Sequence, residues 1–169
     1  EKVRGKPIAG PRAIEPRFQA KLDRPFRLVI AGSAGGKVRS AARVVAEAAM
    51  LSGLWAAQRD DYPITVKTGH SISELVLAPE EIDYTGIERP DAMIAVSADG
   101  LAKASRQLAS MTNTDRLFAL PDLANATTKA AITVLDPARS PVHIGGARLV
   151  LWCAARALRE LDLFPLEAL

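Results

Sequence analysis

The sequence predicts an α/β domain with a doubly wound, mainly parallel sheet, helices on both faces of that sheet, and an extended amino-terminal arm. Short apolar runs alternate along the chain with segments of helical period, as in folds built from strand-helix-strand units. The residues are 49% hydrophobic and only 5% aromatic, which is typical of the aliphatic interior of helix-covered parallel sheets. A chain of 169 residues also has the size of one globular domain.

Residues 1–25 form the predicted arm, and residues 26–169 the predicted domain. The arm contains four prolines and two glycines and has no sustained apolar period. It is either a solvated linker or a segment that lies across a partner, with Ile8, Ile14 and Phe18 as apolar anchors.

A glycine-rich turn joins the first predicted strand to the first predicted helix. The strand is the apolar run Phe26–Ile30, and the turn spans Gly32–Lys37. Apolar residues then recur at helical spacing from Val38 to Ala49, and Gly53 marks the end of this helix. These features predict a strand-turn-helix unit.

The same alternation continues to the end of the chain. Further strands are predicted at 54–58, 72–77, 92–96, 117–120 and 132–135, and further helices at 101–111 and 147–161. The polar stretch 59–71 is a candidate functional loop. Repeated strand-helix order favours right-handed crossovers and a parallel sheet.

The glycine turn lies where doubly wound proteins often bind an anion, because backbone N–H groups and the positive end of a helix meet there. Two known patterns fail, however. A dinucleotide fingerprint needs glycine at Ala34 and Lys37, and a P-loop needs glycine at Ala31 and Ser or Thr at Val38. The turn is therefore either a structural reversal or a cofactor-binding site of another kind, formed by Gly32, Ser33, Gly35, Gly36 and Lys37.

Composition argues against several other classes of function. The one cysteine, Cys153, can form neither an intramolecular disulfide nor a cysteine-rich zinc or iron-sulfur site. No apolar run approaches the roughly 20 residues of a membrane span, so we expect no such span and a cytoplasmic protein. Residues 1–24 carry a net charge of +4 and the remainder −1, so we expect no nucleic-acid-binding face on the domain.

We assign no catalytic residue and no metal ligand to the chain. The adjacent carboxylates of Asp60 and Asp61 point apart on an extended chain, and His143 has no potential ligand at suitable spacing. His70 is either a proton donor or a solvated loop residue. Trp152 falls on the arginine-bearing side of its helix, which predicts an exposed aromatic and favours a partner there.

A family resemblance begins at the glycine turn. The segment Leu28–Val38 resembles the opening of the gamma domain of 2-oxoacid:acceptor oxidoreductases of the pyruvate, ketoisovalerate, indolepyruvate and phenylglyoxylate types. In that family a strand is followed by Gly-x-Gly-Gly-Gln-Gly and an alanine-rich helix. Here Ala34, Gly35, Gly36 and Lys37 stand where mostly glycines and a glutamine are expected.

The resemblance continues to the carboxyl terminus. Residues 61–70 followed by Ser71–Leu75 are similar to the family's Tyr-Gly-Pro-Glu-x-Arg-Gly-Gly loop and its Ser-x-x-Glu-Val strand, with Lys67 in place of the arginine. Pro90–Ala95 resembles a Pro-Asp-apolar strand, and the helix after Gly145 resembles the family's last long helix. The resemblance thus covers about residues 26–169.

Membership would imply an accessory, non-catalytic gamma subunit of a complex that oxidatively decarboxylates a 2-oxoacid to an acyl-CoA. The implied partners are catalytic alpha and beta subunits and a ferredoxin-like subunit. Thiamine diphosphate, Mg and [4Fe-4S] clusters would be carried by those partners, CoA would act in the complex, and this chain alone would bind none of these cofactors. Tyr62, Lys67, Gly69 and His70 would form a loop that faces a partner or an anionic CoA phosphate.

Two alternatives come from other classes of protein. One is a stand-alone nucleotide- or CoA-binding module that uses the Gly32–Lys37 turn. The other is a scaffold or nucleic-acid-associated protein that acts through its basic arm.

Overall fold

The computed structural model describes residues 14–62 and 69–169, which form an α/β domain. The strands are β1 (Phe26–Ser33), β2 (Trp55–Asp61), β3 (His70–Ala78), β4 (Ala92–Ala95), β5 (Arg116–Ala119) and β6 (Ala131–Val134). The helices are α1 (Val38–Leu51), α2 (Ala98–Lys103), α3 (Ser105–Ser110) and α4 (Leu149–Leu161). Short 3-10 turns occur at Pro121–Leu123, Pro137–Arg139, Gly146–Arg148 and Leu166–Ala168.

The six strands form one mixed sheet in the order β2-β3-β1-β4-β5-β6. The ladders from β1 through β4 and β5 to β6 are parallel, whereas β3 runs antiparallel to both β1 and β2. The predicted mainly parallel sheet is therefore confirmed, with β3 as its exception. Only the eight residues 62–69 separate β2 from β3, whereas a parallel crossover needs about a dozen or more.

Helices cover both faces of the sheet, as predicted. On one face, Leu28 and Ile30 of β1 pack with apolar residues of α1 and α4. On the other, Val29 and Ala31 pack with residues that include Leu108 of α3. Because side chains alternate along a strand, β1 contributes to both cores and lies at the centre of the domain.

Most element boundaries differ by a few residues from those predicted; β1, for example, runs to Ser33, and β3 begins at His70, within the predicted loop. The helix expected at 101–111 consists of α2 and α3, which meet at Ala104, and it begins earlier because the Ser97 hydroxyl accepts a hydrogen bond from Gly100 N at 3.1 Å. Strand β2 continues through charged residues to Asp61, because their backbones pair with β3. Helix α4 begins at Leu149 rather than at 147.

The described part of the arm, residues 14–25, has no helix or strand but is attached to the domain. The amides of Arg17 and Phe18 donate to Leu51 O at 2.7 and 3.0 Å, and Lys21 N donates to Leu163 O at 2.9 Å. Phe18 packs against the core beneath α1 and α4. The hypothesis that Phe18 anchors a partner is therefore wrong; Ile14 is exposed, and Ile8 lies outside the described residues.

Candidate functional site

The candidate site lies at the edge of the sheet where the parallel strands end. Strand β1 leads into α1 on one face, and β4 leads into α2 on the other. The chain thus leaves two neighbouring strands in opposite directions, the arrangement at which doubly wound proteins bind ligands. The Gly32–Lys37 turn lies at this point and packs against the Val96–Gly100 segment.

Gly32 is needed for packing. A Cβ at Gly32 would lie 2.6 Å from Cγ2 of Val38 and 2.8 Å from Cγ2 of Val96. From α2, Gly100 approaches so closely that its own Cβ would lie 2.3 Å from Gly32 N and 2.6 Å from the carbonyl carbon of Ala31. These two glycines let α2 and the start of α1 pack against the end of β1, and they are not free to contact a ligand.

The rest of the turn is open to solvent and has an unusual backbone. Gly35 has a φ of 78° and nothing within 4 Å of a Cβ position, and Gly36 N donates to Ser33 O at 3.0 Å. Lys37 precedes α1 with a φ of 67°, a left-handed conformation that is uncommon for a residue with a side chain. Gly35 and Lys37 therefore both have a positive φ, as this turn requires.

The electrostatics of the turn suit an anionic group. Helix α1 has no side-chain cap on its first amides and no acidic residue in its first turn. In the described part of the chain, no side chain caps the positive end of this 14-residue helix, and the Lys37 ammonium adds a charge beside it. A phosphate or carboxylate oxygen is the natural acceptor for such amides.

The structure brings the predicted loop next to this turn. Ser33 and His70 are paired residues of the β1-β3 ladder, and Ala34 N donates to Gly69 O at 2.8 Å. Tyr62 is exposed at the end of β2, and its ring centroid lies 6.0 Å from Cζ of Arg39. Four of the five turn residues and three of the four loop residues thus lie along one edge; Gly32 is packed inside, and Lys67 is outside the described residues.

A lysine that the sequence did not single out joins this edge. Nζ of Lys103 on α2 lies 3.2 Å from Oδ2 of Asp61, and Nε2 of His70 lies 3.6 Å from Oδ1 of the same carboxylate. Burial by itself would raise the pKa of the Asp61 carboxyl. The nearby positive charge of Lys103 outweighs this effect and holds the pKa below its usual value. Asp61 is therefore an anion that positions the two neighbouring side chains.

A polar cleft of about 650 Å³ continues from this cluster across the α2 side of β2 and β3. We call it the β2-β3 cleft; its charged and amide residues include Arg59, Asp61, Glu74, Lys103, Arg106 and Gln107. Its most enclosed carboxylate, Glu74, accepts hydrogen bonds from Ile87 N at 3.1 Å and from Gln107 Nε2 at 2.7 Å. Sequence reasoning missed this cleft because its residues come from four separate segments of the chain.

The residues present do not fit a metal cluster or a diphosphate-bound metal. Cys153 is fully buried on α4, and burial raises the pKa of its thiol to about 12, so it stays protonated. In the described ranges, no group of three or more His, Cys, Asp or Glu side chains is arranged to hold a metal ion. An anionic ligand at the glycine turn is the one implied group that this site fits.

No helix within residues 14–62 and 69–169 combines the length and apolarity needed to cross a membrane.

The fold is that of a doubly wound α/β domain, with the glycine turn and the uncapped start of α1 at the ends of its parallel strands. A family model described as pyruvate ferredoxin/flavodoxin oxidoreductase matches residues 27–163. The chain belongs to this family, as its glycine turn and later motifs predicted.

Relatives with assigned names match a shorter part of the chain. The 2-oxoglutarate synthase subunit KorC of Methanothermobacter marburgensis is 40% identical over 73 residues, which is 43% of this chain and 39% of that protein. The subunit of the same name from Methanothermobacter thermautotrophicus is 38% identical over 73 residues, again 43% of this chain and 39% of that protein. The match thus spans about two fifths of the length of these relatives.

Solved structures share the fold over most of the chain. The gamma subunit of a keto/oxoacid ferredoxin oxidoreductase from Geobacter sulfurreducens has a TM-score of 0.65 at 19% identity, covering 85% of this chain and 80% of that one. Subunit PORC of pyruvate oxidoreductase from Thermotoga maritima has a TM-score of 0.64 at 16% identity, covering 86% and 82%. At such identities the likeness concerns the fold.

Proposed function

We propose that this protein is the accessory gamma subunit of a multi-subunit 2-oxoacid oxidoreductase and performs no catalytic step itself. The observation that carries the proposal is the family match across residues 27–163, together with a fold shared with gamma subunits over at least 85% of the chain. The alternative of a stand-alone nucleotide- or CoA-binding module has no comparable support.

The proposed complex oxidatively decarboxylates a 2-oxoacid to an acyl-CoA in the cytoplasm. Catalytic alpha and beta subunits and a ferredoxin-like subunit would hold thiamine diphosphate, Mg and [4Fe-4S] clusters, for which this chain offers one buried cysteine. A fold relative from Magnetococcus marinus, a 2-oxoglutarate:ferredoxin oxidoreductase, has been solved with 2-oxoglutarate, coenzyme A and succinyl-CoA. That relative supports CoA as the acyl acceptor in the proposed reaction.

The candidate edge would face a partner or an anionic phosphate of CoA. Uncapped amides of α1 and the Lys37 ammonium supply the positive charge, with Ser33, Gly35 and Gly36 shaping the turn. Tyr62, Lys67, Gly69 and His70 form the adjoining loop in this proposal. Their role would be to close the reaction site and to orient a substrate that other subunits transform.

Purification of the native complex tests the subunit assignment. A tagged copy of the full chain, expressed in its own host, should recover larger subunits with iron-sulfur absorbance and CoA-dependent oxidation of a 2-oxoacid. Recovery of a colourless protein without partners, under conditions that preserve oxygen-sensitive clusters, would contradict the assignment.

A charge variant tests the role of the turn within that complex. Lys37→Asn removes the ammonium while tolerating the positive φ, because asparagine is among the residues enriched in that conformation. We expect the KM for CoA to rise about fivefold, the effect of roughly 1 kcal/mol from a charge at a helix N-terminus. Arg43→Ala, on the exposed side of the same helix, is the control. Equal KM values for CoA in both variants would contradict the proposal that CoA binds at this edge.

A further inference from the structure

The sheet ends at β6 with an open backbone edge. Ala131 N donates to Asp115 O at 3.0 Å and Leu135 N to Ala119 O at 2.8 Å, so every second residue from 131 to 135 faces β5. The alternate residues, Ile132 and Val134, therefore direct their N–H and C=O groups away from the sheet. Across residues 14–62 and 69–169, no other segment bonds to these groups.

This edge lacks the features that normally protect an unpaired strand. Natural edges carry charged side chains, proline or a bulge, or are covered by another element. Strand β6 has the sequence Ala-Ile-Thr-Val, which contains none of these residues. Its two outward-facing residues are also large and apolar, and Ile132 and Val134 are 38% and 50% exposed. Such an edge is a template for another strand.

A cleft of about 450 Å³ adjoins the strand at its carboxyl end. Val134 lines the cleft on one side, and Trp152 and Arg156 of α4 line it on the other. Trp152 packs partly against the core and is half-buried, so the aromatic predicted to be exposed is exposed only in part. The indole instead presents one side to the cleft.

The surface around this cleft has an excess of positive charge. Residues 136–160 contain four arginines against two carboxylates; Asp136 lines the cleft and pairs with Arg139, and Glu160 pairs with Arg116. Arg148, Arg156 and Arg159 are exposed and form no ion pair within the described parts of the chain. Most other basic side chains there are paired, as Arg27 is with Asp91. Exposed Val142 and Leu151 lie in the same segment.

We propose that β6, the cleft and the exposed side of α4 form one docking surface, the β6-α4 surface, for an extended acidic segment of a partner subunit. The segment adds a strand to the sheet by bonding to Ile132 and Val134, and its carboxylates pair with Arg148 and Arg156. Trp, Arg and apolar residues around an open edge are the composition of a strand-accepting interface. The inference rests on the proposed function, because that function supplies the partner.

Charge selects this occupant over a second copy of the chain. Two copies paired through β6 about a two-fold axis would bring like-charged arginine surfaces together, which costs free energy. An acidic segment instead neutralises guanidinium groups that form no ion pair with residues 14–62 or 69–169.

Three variants of the full chain test the surface during co-expression with the partner subunits. Val134→Pro removes an outward N–H that the β5 ladder does not use, and edge strands tolerate proline. The double variant Arg148→Glu/Arg156→Glu reverses the charge on exposed positions without touching the core. Arg43→Glu, a single charge reversal on the exposed face of α1, is the control.

We expect both surface variants to reduce recovery of partner subunits at least about tenfold, as loss of central interface contacts does, while the control behaves like the wild type. In the wild-type complex, the Ile132 and Val134 amides should be protected from hydrogen exchange. Normal recovery of partners by both variants would overturn the surface and leave the proposed function intact. Rapid exchange of both amides in the assembled complex would overturn strand addition. A wild-type chain that recovers no partner would defeat the proposed function, and this inference with it.

Discussion

The two edge strands of the sheet differ in how they are protected. Strand β2 carries Arg59, Asp60 and Asp61. The carboxylate of Asp60 accepts a hydrogen bond from a serine of β3, and that of Asp61 pairs with the lysine of α2. Strand β6 carries no charge and leaves two outward-facing residues exposed. The β2-β3 cleft is larger than the cleft beside β6. Its lining nevertheless contains as many acidic side chains as basic ones, three of each. Unsatisfied groups, rather than cleft volume, therefore indicate where a partner binds.

The largest effect is expected at the centre of the sheet, between the two edges. Gly100→Ala places a methyl group 2.3 Å from Gly32 N, where only backbone could move, so we expect a loss of about 3 kcal/mol or more in the free energy of unfolding. A Cβ at position 35 would meet no other atom, so Gly35→Ala should lower the free energy of unfolding only through its positive φ, by about 1 kcal/mol. Urea unfolding of both variants distinguishes the two, and equal losses would contradict the packing role of Gly100.

The protected β2 side should be sensitive to loss of a single carboxylate. Glu74→Ala leaves the Ile87 amide and one of the two hydrogen atoms on Gln107 Nε2 without an acceptor, since this nitrogen also donates to Ile87 O, and we expect a loss of about 2 kcal/mol. Glu47→Ala removes only an exposed i,i+4 pair with Arg43 and should cost about 0.5 kcal/mol. Thermal or urea unfolding measures both. A Glu74 variant as stable as the Glu47 control would show that this network contributes little.

Stability should fall in acid because of two enclosed carboxyls at the opposite end of the strands. Burial by itself would raise the pKa of both carboxyls. Hydrogen bonds from Arg27 to Asp91 and from Arg89 to Asp115 outweigh this effect and hold both pKa values below 3.8. Their contribution is therefore complete above the unfolded-state pKa of about 3.8 and is lost as the pH falls through the lower folded-state values.

Urea midpoints measured from pH 7 to pH 2 should accordingly be lower below about pH 4. Asp115→Asn should lose about 2 kcal/mol at neutral pH, because Arg89 and Thr112 lose a charged acceptor. The same variant should depend less steeply on acid. An unchanged slope in Asp115→Asn would assign the acid sensitivity to other groups.

The smallest effect on folding is expected at β6. Ile132→Ala removes an exposed side chain and should change the free energy of unfolding by no more than about 0.5 kcal/mol. The same substitution should weaken recovery of partner subunits. Substantial unfolding of the variant would mean that β6 is covered within this domain, against the open edge described above.

Local patterns in the sequence predict most elements of the fold. Apolar periodicity locates the start of β1 and both ends of α1 and α4 within two residues, since each has a continuous buried face. It does not reveal the direction of β3, which depends on the short connection from β2, nor the early start of α2, which depends on the Ser97 cap, nor the break between α2 and α3 at Ala104. The runs 26–30 and 132–135 are both apolar, yet only the strand order places one in the centre and one at the edge.

The site is only partly predictable, for a related reason. Glycines at the turn are visible in the sequence, but the approach of Gly100 separates Gly32, which packs, from Gly35, which remains open. Lys103 lies some forty residues from Asp61 along the chain, and only the packing of α2 on β1 and β3 brings them to 3.2 Å. Contacts of this kind require the tertiary fold.

The most direct test of the central claim is reconstitution of the complex with and without this chain. The partner subunits are co-expressed under anaerobic conditions, and CoA-dependent reduction of ferredoxin by a 2-oxoacid is measured. The account predicts that activity requires the chain, although the chain alone shows none. Full activity of the partner subunits in its absence, or 2-oxoacid oxidation by the isolated chain, would contradict an accessory subunit.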